Sequence, residues 1–177
     1  MAGSLIKIDE VTISSEVSTV TIGGANWDTS YDVYKLQWNN LQVSADQKNV
    51  QLRILDSSNN PITTANYDVA QMVLRTDTTF EDSYGTGGTF GFVVDNYLGT
   101  ATQEIGNGTN YLFNFNISDE FSFWTTETVY RNNTGVLRGS QGGGVLDTTG
   151  SHRGVQFIAQ SGANLSGGVI RLYGLKK

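Results

Sequence analysis

The chain has 177 residues, a formal net charge of −6 and a pI near 4.6. This acidic balance argues against binding to nucleic acid or to anionic membranes, because both need basic patches. The sequence has no cysteine, which excludes disulfides and thiolate metal sites. Residues 1–10 lack the apolar segment of a secretory signal, and no stretch reaches the length of a membrane span. We therefore expect synthesis in the cytoplasm.

Small and polar residues dominate the composition. Gly, Ser, Thr and Asn account for 71 of the 177 residues, so the chain is rich in turn formers and poor in helix formers. Aromatic residues make up 11% and supply large apolar surfaces for a core. No repeat, linker or shift in composition divides the chain, which predicts a single domain over residues 1–177.

Alternation of apolar and polar residues predicts strands along most of the chain. In the first segment the alternation is less regular, because the apolar residues change from one phase to the other. A bulge or turn near residues 14–18 explains this change of phase. Later segments each place one apolar set on one face of a strand. These sets are Tyr34, Leu36 and Trp38; Val50, Leu52 and Ile54; Phe90, Phe92 and Val94; and Val155, Phe157 and Ala159.

Residues 110–118 show the clearest alternation. Tyr111, Phe113, Phe115 and Ile117 share one phase, and Leu112 is the one apolar residue in the other phase. We predict that the aromatic phase, including Phe113 and Phe115, faces the core.

Residues 65–75 are ambiguous. The apolar positions Ala65, Val69, Met72 and Val73 have helical spacing, but the segment also reads as a strand that begins near Tyr67. The strand interpretation is favoured, and the helix stays open.

Turn signals separate the apolar runs at intervals of roughly 10–20 residues, which is typical of antiparallel sandwiches and barrels. They include residues 23–24, 56–61, 85–88, 106–108, 139–144 and 167–168. The prediction is an all-β fold: an antiparallel two-sheet sandwich, jelly-roll-like, with about eight to ten strands.

No constellation of catalytic residues is evident, so we expect no enzyme activity and no catalytic residue. The single histidine, His152, lies in a polar turn without the nucleophile elbow of a serine hydrolase, which predicts a solvated loop residue. Acidic pairs such as Asp9-Glu10 point to opposite faces of a strand, so we expect no metal site and no cofactor. A loop-bound calcium ion stays open.

The glycine run at residues 139–144 lacks the Lys-Ser/Thr of a phosphate-binding loop. It predicts a flexible loop between strands. A close-packed contact with a neighbouring subunit is the alternative.

Two aromatic residues have the chemistry of a carbohydrate site, in which a ring stacks on the sugar beside amides and carboxylates. Trp27 lies between Asn26 and Asp28, and Tyr84 lies in the turn-rich segment 81–88. The favoured interpretation is that both cap the core from loops, and glycan binding stays open.

Several stretches resemble small virion proteins of tailed bacteriophages of the marine and cyanobacterial type. They are residues 4–10 (SLIKIDE), 27–34 (WDTSYDVY), 132–144, and 154–157 (GVQF) together with 166–175 (SGGVIRLYGL). The resemblance runs from end to end in the same order, although each stretch alone is a weak strand-like pattern. It implies a structural protein of the virus particle with a jelly-roll-like domain.

Within that resemblance, the expected function is a capsid decoration or cement protein that stabilises the head. The alternative is a tail or fibre-tip domain that binds host-surface glycans. A compact domain without a coiled coil favours the capsid. The expected localisation is the virion, and the expected partners are the major capsid protein and copies of this chain, with neither nucleic acid nor membrane. The terminal segments carry apolar residues on both phases and are candidate assembly contacts: Leu5, Ile6, Ile8, Ile170, Leu172 and Leu175. Completion of the chain's own sheets is the alternative.

Overall fold

The computed structural model describes residues 4–175 as a sandwich of two antiparallel sheets. The strands are β1 (Leu5–Ile13), β2 (Thr19–Gly23), β3 (Val33–Val43), β4 (Lys48–Ile54), β5 (Tyr67–Arg75), β6 (Glu81–Gly88), β7 (Gly91–Leu98), β8 (Gly106–Phe113), β9 (Phe121–Arg131), β10 (Leu137–Thr149), β11 (Gly154–Ala159) and β12 (Leu165–Leu175). The helical content of the described residues is one 3-10 turn, Gly24–Asn26. The all-β prediction is confirmed, and residues 67–75 form a strand rather than a helix.

The strand order contains a jelly roll with an extension. The smaller sheet has the order β2-β11-β4-β7, and β1-β12-β3-β8 of the larger sheet lies opposite it. These two sets of four strands are the two sheets of a jelly roll. The larger sheet then continues through β9-β10-β5-β6. The extension is built from two hairpin-like insertions, β5-β6 and β9-β10, that join the same sheet edge.

The core lies between the sheets and follows the alternation in the sequence at most strands. Tyr34, Leu36 and Trp38 are fully buried, as are Val50, Leu52 and Ile54 on β4. Val155 and Phe157 on β11 are buried in the same way, and Ala159 is nearly so. Burial of these side chains is the main stabilising contribution to the sandwich.

The predicted core face of residues 110–118 is wrong for most of its members. Leu112 and Asn110 are fully buried, whereas Tyr111 and Phe113 are only partly buried on the opposite face. The strand ends at Phe113, and Asn114 has a φ of 63°, which breaks the alternation. Phe115 consequently turns back into the core, and Ile117 is exposed.

Strand β7 also departs from its predicted face. Val93 and Val94 are both fully buried, while Phe92 is only partly buried. Irregular pairing of β7 with β4 around Val50 accounts for the change of phase.

Several glycine clusters predicted as turns lie inside strands. Residues 85–88 belong to β6, residues 106–108 to β8 and residues 139–144 to β10. The prediction of a flexible loop for the glycine run is therefore wrong, and the observed strand number exceeds the predicted one for the same reason. By contrast, the change of phase near residues 14–18 is a connection between β1 and β2, as predicted.

The terminal strands complete the chain's own sheet. Strand β12 pairs with β1 on one side and β3 on the other. Ile170 and Leu172 are fully buried in the core, so their side chains do not reach a second chain. Leu5 and Ile6 are exposed on β1, the outermost strand of the larger sheet, and Ile8 and Leu175 are partly buried.

Candidate functional site

The outer face of the sheet extension carries many apolar side chains in two groups, which are separated by a mostly polar row that contains Gln141 and Glu127. On β9, the buried residues Ser122 and Trp124 point into the sandwich, so the residues between them point outward. The same alternation applies to β5, β6, β8 and β10. We call the outward set the apolar face. It consists of Ala70, Met72, Leu74, Tyr84, Phe113, Phe121, Phe123, Val129, Leu137 and Val145.

The exposure of this face is high for such side chains. Tyr84 is 82% exposed, Val129 and Leu137 are each 51% exposed, and Phe123 is 43% exposed. Large exposed apolar side chains grouped on one face are unusual on a monomeric soluble protein and are typical of an interaction surface.

A trough of about 640 Å³ lies within the group of the apolar face that contains Tyr84 and Phe123. Strand pairing explains its shape. Gly143 of β10 pairs with Ala70 of β5 and with Thr125 of β9, and Ala70 pairs with Tyr84 of β6. The middle of this row therefore has only small side chains, and the Tyr84 ring bounds the row at its end.

The neighbouring row forms one wall of the trough. Val145 of β10 pairs with Phe123 of β9, and Phe123 pairs with Phe113 of β8. Side chains directly opposite each other in antiparallel strands touch. Two aromatic rings and a valine thus stand beside the row of small residues.

The floor of the trough requires glycine because the strands leave no room for side chains. A Cβ atom at Gly142 would lie 2.3 Å from the Ala70 carbonyl oxygen, and one at Gly143 would lie 2.2 Å from the Trp124 carbonyl oxygen. A Cβ atom at Gly144 would lie 2.3 Å from the Trp124 ring. The glycine run is thus a close-packed part of the sheet.

Trp124 supports the floor from the inside. Its ring lies beside Gly144 and beside Gly91 of the smaller sheet, where a Cβ atom would also be 2.3 Å away. Tyr67 packs against it with a ring-centroid distance of 6.1 Å. Burial raises the pKa of Tyr67 to about 12, so its hydroxyl stays protonated and donates a hydrogen bond to the Ile62 carbonyl.

Some of the polar atoms around the trough already form hydrogen bonds within the chain. Asp68 Oδ1 accepts a hydrogen bond from the Gly87 amide at 2.8 Å, and Thr125 Oγ1 accepts one from the Tyr111 amide at 3.2 Å. Apart from Thr86 and the Tyr84 hydroxyl, the remaining lining is apolar or glycine. The trough therefore suits an apolar occupant better than a sugar, which needs several free hydrogen-bonding groups.

Ion pairs lie at one end of the extension. The Arg75 guanidinium donates two hydrogen bonds to Asp77, and these raise the pKa of Arg75 and lower the pKa of Asp77. Arg75 also pairs with Glu81, whose other oxygen lies 3.8 Å from Arg138. These contacts hold β5, β6 and β10 together beside the apolar face.

The two glycan candidates have different surroundings. The Trp27 ring packs on Tyr34 at 3.8 Å and on Phe115 at 5.6 Å, and its Nε1 donates a hydrogen bond to Asn116. Trp27 thus caps the core. Tyr84 lies on β6 and is 82% exposed at the end of the trough, so the interpretation that it caps the core from a loop is wrong. The structure does not bring Trp27 and Tyr84 together in one site.

His152 is buried, so its prediction as a solvated residue is wrong. It is 2% exposed, its Nδ1 lies 2.7 Å from Ser122 Oγ, and its ring packs edge-on against Phe115. Burial lowers its pKa. Ser122 is also fully buried, so this Ser-His pair is closed to a substrate and links the 151–153 segment to β9.

Residues 4–175 contain no cluster of three or more His, Asp or Glu side chains arranged to hold a metal ion. In the same range, no helix has the length and apolar character needed to cross a membrane.

Sequence reasoning identified Tyr84 and the glycine run but missed most of the apolar face. The signal was present in residues 121–131, where Phe121, Phe123 and Val129 occupy one phase while Trp124 and Tyr130 occupy the other. A strand with apolar residues on both phases indicates two covered faces.

No protein-family model matches the chain, and comparisons with curated proteins and with solved structures likewise find no match.

Proposed function

We propose that this chain is a structural protein of a bacteriophage particle that binds the outside of the capsid as a decoration protein. The observation that carries the proposal is the apolar face on the sheet extension. A decoration protein must bury one surface against the shell, and the jelly roll alone leaves no comparable surface among the described residues. The end-to-end resemblance to small virion proteins supports the same assignment.

The mechanism is thermodynamic. A protein that binds the assembled shell more tightly than its free subunits stabilises the shell by mass action. Stable protein interfaces bury roughly 1,200–2,000 Å² in total. The apolar face draws its side chains from five strands, so an interface of that size would involve the whole sheet extension.

In this proposal, copies of this chain contact one another through a different surface. Strand β1 is the outermost strand of the larger sheet, opposite the β6 edge, and exposes Leu5 and Ile6. Exposed edge strands pair readily with further strands. A small cyclic oligomer joined at β1 would leave the apolar faces of its members free for the shell.

Quantitative gels and a cryo-EM map of purified particles test the proposal. The expected result is hundreds of copies per particle, with density on the capsid exterior. Particles lacking the protein should regain heat resistance when the purified protein is added back, but not when the Phe123→Ser variant is added. A few copies per particle, located in the tail, or absence from particles would contradict the proposal.

The second candidate function is glycan binding by a tail domain. Tyr84 favours it, because a ring that is 82% exposed at the end of a trough can stack on a sugar. The scarcity of free polar groups in the trough weighs against it. A glycan array with the native protein and the Tyr84→Ser variant tests it: binding that depends on Tyr84 would favour the tail domain.

A further inference from the structure

Carboxylates surround the apolar face. Asp82 of β6, Glu127 of β9 and Asp147 of β10 are exposed on the outer side of the extension, and Asp68 lies in the trough wall. Asp119 and Glu120 are exposed beside Phe121 and Phe123. Two basic residues lie on the same side: Arg131 of β9, and Lys35 of β3, whose Nζ lies 5.8 Å from the centre of the outward Tyr111 ring on β8.

These six carboxylates outnumber the two basic groups, so the face is acidic and its charge favours one kind of partner. Carboxylates at the rim of an interface attract a positively charged partner and repel a negatively charged one. The chain itself carries a net charge of −6, so a second copy docked symmetrically on the same face would bring like charges together. The charge therefore disfavours self-association at this face.

The trough determines which side chains can form the centre of the partner's contact surface. Its volume of about 640 Å³ accommodates apolar side chains, and its glycine floor lets them approach the sheet backbone closely. Apolar side chains in the centre with charged residues around them are the usual arrangement of protein interfaces.

We infer that the trough receives a cluster of apolar side chains on a lysine- or arginine-flanked segment of another protein. The inference rests on the proposed function, in which that segment belongs to the shell. The apolar centre supplies burial, and the basic flanks pair with Glu127, Asp82 and the neighbouring carboxylates.

Two fluorescein-labelled peptides test the inference with the purified full chain. Both have the same central Leu-Phe-Leu, but one is flanked by lysines and the other by glutamates. In fluorescence anisotropy titrations, the lysine peptide should bind saturably and about tenfold more tightly than the glutamate peptide. Its affinity should fall as salt is raised, because salt screens exposed charges.

Variants locate the binding site. Tyr84→Ser and Phe123→Ser should each weaken binding of the lysine peptide by about tenfold, as expected for loss of a central aromatic contact. Glu127→Gln should reduce the salt dependence. The matched control is Leu5→Ser, an exposed apolar residue at the opposite edge of the same sheet, which should leave peptide binding unchanged. Circular dichroism checks that each variant is folded.

Three outcomes would overturn the inference: equal affinity for both peptides, no saturable binding of the lysine peptide, or binding that the Tyr84 and Phe123 variants do not weaken. A dimer in sedimentation that Phe123→Ser dissociates would assign the face to a second copy instead. Particle composition separates the two proposals. A protein absent from particles that still binds the lysine peptide overturns the capsid function alone, whereas a capsid-bound protein that ignores the peptide overturns this inference alone.

Discussion

Trp38 donates a hydrogen bond from its Nε1 to Oδ1 of Asn110 at 3.1 Å, and both residues are fully buried. The Asn110 amide nitrogen donates in turn to the Thr125 carbonyl and to Thr126 Oγ1. The asparagine thus satisfies polar groups of β3 and β9 from its position on β8. This network requires Asn110 to face the core.

Asn110→Ala should lower the free energy of unfolding by about 2–4 kcal/mol, because it leaves the Trp38 Nε1 buried without an acceptor. Urea denaturation followed by tryptophan fluorescence measures the loss. Thr109→Ala, at the adjacent outward position, is the control and should change stability by less than about 1 kcal/mol. Equal effects at the two positions would contradict the assigned face.

Leu112→Ala should cost about 2–5 kcal/mol, because Leu112 is fully buried between the sheets. Phe115→Ala should lower the free energy of unfolding by about 3–5 kcal/mol for the same reason. Phe113→Ala should cost less than either, because Phe113 lies partly exposed in the wall of the trough. A larger loss at Phe113 than at Leu112 would place the core on the other face of β8.

Stability should fall on acidification between pH 7.5 and 6 because of His152, the only histidine of the chain. Burial lowers its pKa in the folded protein, and the charge of Asp56 opposes this in part. The unfolded chain therefore takes up a proton at a higher pH, near the ordinary histidine value of about 6.5. Stability is complete above that pH and declines as the pH falls toward the folded-state pKa.

Urea titrations across this pH range measure the slope. The His152→Gln variant should be less stable at pH 8, since the contacts with Ser122 and Phe115 are altered, but its slope between pH 7.5 and 6 should be nearly flat. An unchanged slope in the variant would show that another group is responsible.

Gly144→Ala should destabilise the protein by about 1–3 kcal/mol or more, because the added methyl group would overlap the Trp124 ring. Gly85→Ala is the matched control on β6. There the nearest atom to an added Cβ is Val69 Cγ2 at 3.9 Å, and no change is expected. Thermal unfolding compares the two variants, and equal melting temperatures would argue against close packing at the trough floor.

The sequence was sufficient to predict the fold where alternation is regular and one face is polar. Strand β3 is such a case, since Lys35 and Gln37 separate Tyr34, Leu36 and Trp38. It was insufficient at β8, where aromatic residues occupy the outer face and an asparagine serves the core. Apolar residues there lie on both faces of the strand, and periodicity alone does not tell the core face from an exposed apolar face.

The candidate site was only partly predictable for a different reason. Tyr84 and Gly143 each stand out in the sequence, but they belong to one row only because Ala70 pairs with both. Pairing between distant strands depends on the register of the whole sheet. Reasoning from local sequence does not supply that register.

The position of the last strand has a consequence for how the protein is made. Strand β12 lies between β1 and β3, and β11 lies between β2 and β4. Both late strands leave the ribosome after the strands that they join. Until β12 is synthesised, β1 and β3 lack the strand that pairs with both of them. Their unpaired backbone edges can then form hydrogen bonds with other strands. Such long-range pairing slows folding, so the incomplete chain exposes unpaired edges for longer than a chain of local hairpins would.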